Sequence, residues 1–312
     1  MPLDPVIQKF LSALAAKDAR GPRPAGVEAR RRGLAELLGL SGPPVEIAAS
    51  EDVPVTVPSG NRFARVYVPA GMERSTSPGM VFFHGGGFVA GTVGTHDRIC
   101  RALSAASGAR ILSLDYPLAP EARFPVALDD CLAFVHQVMR EPGAWNVRAD
   151  ALLVGGDSAG ANLAAVVCQE LARGVASGAV AGQFLLCPIL DYAGSSASKG
   201  SFANGYLLDL ATLEHDLQHY LPAGFEASDP RVSPLRAPDL RGVPPAVIHT
   251  AEFDPLRDEG LAYAERLDAA GIRTTYYCHP GMVHLFYGLA GILPYARESF
   301  QRMGADMRAL LP

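Results

Sequence analysis

The sequence predicts an α/β fold built on a mostly parallel, doubly wound sheet of about eight strands with helices on both faces. The chain has 312 residues, of which 49% are hydrophobic, so it can bury a large core. From Val53 onward, short apolar runs rich in β-branched and aromatic residues alternate with segments of helical periodicity. Strands that alternate with helices imply parallel strands covered on both faces.

Eight apolar runs have the length of strands. They lie near residues 53–57, 63–68, 80–83, 109–114, 151–154, 183–187, 245–250 and 273–278. Helical patterns separate the later strands, at residues 96–107, 127–138, 159–173 and 258–270.

Two segments with helical apolar spacing precede the first strand, at residues 5–17 and 27–39. A Gly-Pro-rich stretch at residues 21–26 separates them. Because helical spacing gives way to strand-like runs near Val53, we predict that the core of the domain begins shortly before that residue.

The alternation of strands and helices is interrupted between about residues 192 and 230. A Ser/Gly-rich stretch there leads into a helical pattern at residues 207–221, with no strand. We therefore predict one core formed by residues 46–191 and 231–312. Residues 1–45 and 192–230 are predicted to fold over the carboxyl edge of its sheet.

Charge and cysteine usage exclude several classes of protein. The formal net charge is −5 with both signs interspersed, so we expect no nucleic-acid partner. Five widely spaced cysteines, with no Cys-x-x-Cys pair, argue against a disulfide framework or structural zinc. The sequence shows neither a signal-peptide pattern nor an apolar run of bilayer length, so we expect a cytoplasmic protein that does not bind membranes.

A candidate nucleophile lies in Gly156-Asp157-Ser158-Ala159-Gly160, between the strand at 151–154 and the helix at 159–173. In a nucleophile elbow the serine occupies a strained strand-to-helix turn, which requires small residues two positions to either side. Gly156 and Gly160 meet that requirement. The alternative is a Gly-rich turn in which Ser158 only caps the helix.

A second glycine-rich segment, His84-Gly85-Gly86-Gly87-Phe88, follows the strand at 80–83. Bare backbone amides there suit an oxyanion hole, with the N–H groups of Gly86, Gly87 and Ala159 as donors. A flexible loop or a phosphate cradle is the alternative, but no Gly-Lys-Ser/Thr follows. We interpret His84 as structural, with a ring that holds the loop by hydrogen bonds.

A serine nucleophile needs a general base, and that base needs a carboxylate. Asp254 follows the strand at 245–250 and is the favoured acid; Asp258 is the alternative, but it lies where the next helix begins and can serve as a cap. Two histidines follow the last strand. His284 is favoured over His279 because its longer loop reaches over the nucleophile more easily.

One further cluster has metal-ligand chemistry. His215 and His219 lie one helical turn apart beside Glu214. The pair lacks both the His-Glu-x-x-His arrangement and a third ligand, so we expect no metal there. No other pattern calls for a cofactor.

Five segments together carry a family resemblance. HGGGF, DYPLAPEARFPVALDD, GDSAGANLA, AEFDPLRDEG and GMVHLFYG closely resemble the hormone-sensitive-lipase-like branch of the α/β hydrolases, especially its microbial carboxylesterases, from about residue 45 to the end. The resemblance implies an α/β-hydrolase fold with a helical cap. It also implies a Ser-Asp-His triad at Ser158, Asp254 and His284, and hydrolysis of small carboxylic esters with short to medium acyl chains.

Two positions depart from the family pattern, which usually has Arg at the position of Pro117 and Gly at the position of Leu285. We expect Leu285 to reshape the substrate pocket. An amidase, lactonase or acyltransferase is the alternative within enzymes, since the same triad serves any acyl substrate. A non-catalytic small-molecule receptor is the alternative outside them, and a homodimer remains open as the assembly.

Overall fold

Eight strands form one sheet in the computed structural model, which describes residues 2–18, 26–174 and 180–312. The Gly-Pro-rich stretch at residues 21–26, which was predicted to separate two helices, lies outside the described residues except for Gly26. In chain order the strands are β1 (Ala49–Val57), β2 (Gly60–Val68), β3 (Ser77–Phe83), β4 (Arg110–Leu114), β5 (Val147–Asp157), β6 (Gly182–Leu186), β7 (Ala246–Phe253) and β8 (Thr274–Val283).

The spatial order of the strands is β1-β2-β4-β3-β5-β6-β7-β8. β1 pairs antiparallel with β2, and β2 pairs antiparallel with β4, whereas every later pairing is parallel. The carboxyl ends of β3, β5, β7 and β8 therefore meet at one edge of the sheet. Ligands of open α/β sheets bind outside this edge.

Helices cover both faces of the sheet. α4 (Val126–Arg140), α5 (Ala159–Arg173) and α8 (Arg257–Ala269) contribute to one apolar core, and α3 (Asp97–Ser107) and α9 (Pro294–Leu310) contribute to the other. Buried positions on each helix recur at helical spacing, as with Phe300, Met303 and Met307 on α9. The predicted α/β fold class and all eight predicted strands are confirmed.

The two regions predicted to lie outside the core are helical in their described parts. α1 (Pro5–Asp18) and α2 (Val27–Leu38) precede the sheet. In the interruption, α6 (Ala197–Ser201) is followed by α7 (Leu210–Tyr220), which begins three residues later than predicted. The delay has a local cause, since Leu207 has a positive φ of 76° and cannot continue a helix.

α9 is an element that the sequence analysis did not assign. Its periodic apolar residues were visible in the sequence, and Pro294 opens the helix at a position that suits proline. The assignment stopped at the candidate base His284, so this signal was overlooked.

Candidate active site

Ser158 sits in a sharp turn between β5 and α5. Its φ is 53°, in the region that residues other than glycine rarely adopt, and its side chain makes no capping hydrogen bond to α5. A Cβ at Gly156 would lie 2.5 Å from the Gly160 carbonyl, and a Cβ at Gly160 would overlap the Phe83 carbonyl. These contacts explain why the turn requires glycine on both sides, and they disfavour the helix-cap interpretation.

The candidate acid and base lie on the two loops that follow β7 and β8. His284 Nε2 is 3.0 Å from Ser158 Oγ, and His284 Nδ1 is 2.8 Å from Asp254 Oδ2. All three side chains are buried, and the backbone N–H of Leu256 donates to Asp254 Oδ1 at 2.9 Å. With the Nδ1 proton donated to Asp254, Nε2 is free to accept the serine proton.

The alternative acid and base are engaged elsewhere. Asp258 accepts the backbone N–H of Ser198 at 2.8 Å and pairs with Arg257. His279 is bonded to His249 at 3.0 Å and to Tyr295 Oη at 3.0 Å. The structure therefore brings the favoured residues together and leaves the alternatives apart from Ser158.

The glycine-rich loop after β3 faces the same space. Gly86 and Gly87 have positive φ values of 122° and 66°, and both line the cavity that contains Ser158 and His284. Within the described part of the chain, their amides donate to no backbone or side-chain acceptor. Ala159 begins α5, so its amide is one of the four without an intrahelical acceptor.

His84 lies beneath this loop, as expected for a structural residue. Its Nδ1 donates to the Gly85 carbonyl at 2.9 Å, and its ring stacks on Tyr116 with centroids 4.3 Å apart. The Tyr116 hydroxyl in turn donates to the His84 carbonyl at 2.6 Å. Burial and neighbouring His96 lower the pKa of His84 to about 3, so the ring is neutral near pH 7.

Asp157 is a residue of the site that the sequence analysis missed. It is fully buried, accepts the Gly85 amide at 2.8 Å and the Tyr287 hydroxyl at 3.1 Å, and lies 3.4 Å from His96 Nε2. Burial alone would raise the pKa of Asp157, but His96 and the Gly85 amide hold it below its usual value. A carboxylate at the end of an otherwise apolar strand was the available signal, since a buried charge requires partners.

The cavity above Ser158 measures about 80 Å³. Leu285 lines it with a positive φ of 60°. The remaining walls combine the ion-paired residues Arg30 and Asp216 with aliphatic side chains. These aliphatic residues are Leu34, Leu37, Ile189, Leu207, Leu208 and Leu213, and Thr212, His96 and Asp157 complete the lining.

Metal-binding chemistry is represented by a single cluster in the described part of the chain. Ligand atoms of Cys187, Asp254 and His284 lie within 4.8 Å of one another. Two of these residues already form the hydrogen-bonded chain to Ser158. The rings of His215 and His219 are tilted by 38° with centroids 4.4 Å apart, and neither residue belongs to such a cluster.

Comparisons with known proteins agree with this geometry. A family model described as alpha/beta hydrolase fold matches residues 80–288. Carboxylic ester hydrolase LipN of Mycobacterium tuberculosis is 36% identical over 294 residues, which cover 92% of this chain and 77% of that protein. The ethyl acetate hydrolase of Pseudomonas putida is 32% identical, covering 87% of this chain and 86% of that protein.

A solved structure is similar over nearly the whole chain. An ester hydrolase from the metagenome of Lake Arreo, solved with a bipyridine phosphonate derivative, has a TM-score of 0.93 and 36% identity, with 98% of each chain covered. Across residues 2–18, 26–174 and 180–312, no helix combines the length and apolar character needed to span a bilayer. The family match covers well over half of the sequence, so this chain belongs to the α/β-hydrolase fold family, in its hormone-sensitive-lipase-like branch.

Proposed function

We propose that the chain is a serine carboxylesterase in which Ser158 is the nucleophile, His284 the general base and Asp254 the residue that orients it. The observation that carries this proposal is the continuous hydrogen-bonded chain from Asp254 through His284 to Ser158, with distances of 2.8 and 3.0 Å. It opens into a cavity lined by Gly86 and Gly87. The relatives named as ester hydrolases support the same reaction.

The reaction proceeds in two acyl transfers. Ser158 Oγ attacks the ester carbonyl while His284 Nε2 takes its proton, and the resulting imidazolium returns that proton to the departing alcohol. Water then attacks the acyl-serine carbon and gives its proton to His284, which returns it to Ser158 as the acid leaves. Asp254 stabilises the imidazolium in both halves of the reaction without becoming protonated.

The amides of Gly86, Gly87 and Ala159 are assigned to the oxyanion of both tetrahedral intermediates. The first turn of α5 adds the positive end of a helix dipole at the same place. Losing one such donor costs about 3 to 4 kcal/mol of transition-state stabilisation in enzymes of this kind. His84 is assigned no proton transfer, because its ring is neutral and bonded to the loop itself.

The preferred substrates are esters with short to medium acyl chains. About 10 to 15 Å³ of such space holds one water, so a cavity of about 80 Å³ favours a small acyl group. Its aliphatic walls favour an apolar chain over a charged one. The activity named for the ethyl acetate hydrolase agrees with a small substrate.

We also assign the helices outside the core to a cap. The cavity is lined by residues of α2 and α7 together with Ser158 and His284, which supports a cap formed by residues 1–45 and 192–230. A homodimer and a location in the cytoplasm stay predictions from the sequence.

Activity assays on the purified protein test the proposal. We expect p-nitrophenyl butyrate to be cleaved, Ser158→Ala to abolish cleavage, and a reactive phosphonate to modify Ser158, as seen by mass spectrometry. Parent-level cleavage by Ser158→Ala would overturn the assignment of the nucleophile. Product analysis with amides, lactones and acceptor alcohols separates the esterase from its enzymatic alternatives, and absence of phosphonate labelling would favour the receptor.

A further inference from the structure

A partly buried ion pair joins α2 to α7 beside the glycine-rich loop that follows β3. Arg30 Nε lies 3.0 Å from Asp216 Oδ2 and 3.3 Å from Oδ1, and Arg30 Nη2 lies 3.0 Å from Oδ2. Asp216 is 1% exposed, whereas Arg30 is 21% exposed. Both residues line the cavity that contains Ser158. The pair therefore connects α2, which precedes the sheet, with α7, which lies in residues 192–230, beside the proposed active site.

Gly86 and Gly87, the two loop glycines assigned to the oxyanion, each face a side chain of one of these two helices. A Cβ at Gly87 would overlap the carboxylate of Asp216 on α7. A Cβ at Gly86 would overlap the Ala90 carbonyl and would lie 3.0 Å from Leu34 Cδ2 on α2. Leu34 is one helical turn after Arg30, so the same face of α2 contacts Gly86 and holds the residue that contacts Gly87.

The position of Asp216 creates an electrostatic problem for the reaction. Its carboxylate packs directly against Gly87, whose amide is assigned to the oxyanion, and a negative charge there repels the oxyanion as it forms. Arg30 is the full positive charge that contacts the carboxylate, and His215 Nδ1 lies 3.3 Å from Asp216 Oδ1. Burial raises the pKa of Asp216, and Arg30 and His215 oppose that shift.

We propose that Arg30 is a positioning residue for the esterase reaction, which neutralises the Asp216 carboxylate and holds it against Gly87 so that the loop keeps the geometry of an oxyanion hole. This inference rests on the proposed function. It predicts that loss of Arg30 and loss of the Asp216 charge have unequal effects on activity. Losing Arg30 leaves the buried carboxyl of Asp216 without its cationic partner beside the oxyanion, whereas losing the charge of Asp216 leaves a partly exposed guanidinium that water can solvate.

The test compares Arg30→Met, Asp216→Asn and the double variant on p-nitrophenyl butyrate. We expect Arg30→Met to lower kcat by about ten-fold or more with little change in KM, because the lost interaction stabilises the transition state rather than the substrate. Asp216→Asn is expected to stay within about three-fold of the parent, and adding it to Arg30→Met should restore most of kcat. Arg30→Lys, which keeps the charge, should retain most of the activity.

A pair that only held the cap together would give a different result. Arg30→Met and Asp216→Asn would then lower kcat to the same extent, and the double variant would recover nothing. Either that pattern or parent-level kcat for Arg30→Met overturns the proposal. If Arg30→Met does not fold, Arg30→Gln takes its place, and the same order of activities is required.

A matched control uses an exposed ion pair. Arg241 pairs with Asp239 at 2.7 Å, with side chains 84% and 51% exposed, so Arg241→Met should leave kcat unchanged. Failure of the proposed function has a distinct signature, since the parent would then neither cleave the ester nor react with the phosphonate. An active parent with an unaffected Arg30→Met variant refutes only the role of Arg30.

Discussion

Two buried histidines near the end of β8 have the same side chain but different hydrogen-bond partners. His284 follows the strand and links Asp254 to Ser158. His279, five residues earlier and within the strand, links His249 to Tyr295. Each imidazole therefore bridges two side chains, but only one bridge ends on Ser158, the proposed nucleophile.

The surroundings decide what each bridge can do. The bridge of His284 ends in a cavity at the carboxyl edge of the sheet, where a substrate carbonyl can reach Ser158. His279 is fully buried, and burial followed by the charge of Arg302 lowers its pKa to about 3. A histidine that stays neutral and contacts no nucleophile serves stability rather than catalysis. The comparison teaches that position at the sheet edge, and not residue type, assigns the function.

The largest expected effect separates the two histidines directly. His284→Asn should lower kcat by a factor on the order of 10⁴ or more, since the nucleophile loses its base. His279→Asn should keep kcat within about ten-fold of the parent, because its partners lie outside the reaction. Steady-state kinetics on p-nitrophenyl butyrate measures both.

Circular dichroism serves as the control for folding of the two variants. Comparable losses of kcat in folded His284→Asn and His279→Asn proteins would contradict the division between catalysis and stability. A fully active His284→Asn protein would remove His284 from the triad.

A second prediction separates the two carboxylates after β7. Asp254→Asn should lower kcat by about 10³- to 10⁴-fold, because an amide no longer fixes the imidazole tautomer or stabilises its cation. Asp258→Asn keeps the shape of a side chain that bonds Ser198 and Arg257, so its main cost falls on stability. Parallel kinetics and thermal melts of the two variants measure this contrast, and it fails if Asp258→Asn is the less active protein.

The fold was accessible from the sequence because its signals are local. Apolar runs and helical spacing identified all eight strands and the helices α3, α4, α5 and α8, whereas the short α6 was not predicted. The order of the strands in the sheet is not local, and the sequence analysis did not derive it. α7 was predicted to begin at residue 207, whereas the positive φ of Leu207 delays it to Leu210.

The residues of the candidate site that lie near strand ends could be predicted from the sequence. Ser158, Asp254 and His284 lie four, four and six residues after the ends of predicted strands, so these positions, together with the family resemblance, suggested that they meet. Arg30 and Asp216 are 186 residues apart, and no pattern in either helix indicates the contact. Such pairs depend on how α2 and α7 pack, which periodicity does not specify.

A third prediction concerns the dependence of stability on pH in the His279 region. Burial, followed by nearby charge, lowers the folded-state pKa values of His279 and His249, and the unfolded value is about 6.5. Below pH 6.5 the unfolded chain binds protons that the folded chain does not, so stability falls as the pH falls towards 3. For His279, whose folded-state pKa is about 3, the protein loses about 2 kcal/mol of stability between pH 7.5 and pH 5, and His249 acts in the same direction.

His279→Asn removes one of these two groups. The variant should be less stable than the parent at pH 7.5, where the hydrogen bonds of His279 to His249 and Tyr295 are lost, and the difference should shrink by about 2 kcal/mol at pH 5. Urea denaturation at the two pH values measures the free energies of unfolding. An unchanged difference would show that His279 is not held neutral. Arg302 and Asp306, which face the cluster, are unaltered in this comparison.

The smallest expected effect concerns a cysteine in each region. Cys187 is buried beside Asp254 and His284, and Cys278 precedes His279 and is partly buried. Burial raises the pKa of both thiols, and for Cys187 the nearby Asp254 carboxylate raises it further. Because only the thiolate is alkylated, iodoacetamide at pH 8 should modify Cys278 slowly and Cys187 only after denaturation, with no loss of esterase activity. Peptide mass spectrometry measures the labelling. Rapid labelling of Cys187 would show that solvent reaches Asp254 and His284, and burial would then not distinguish this region from that of His279.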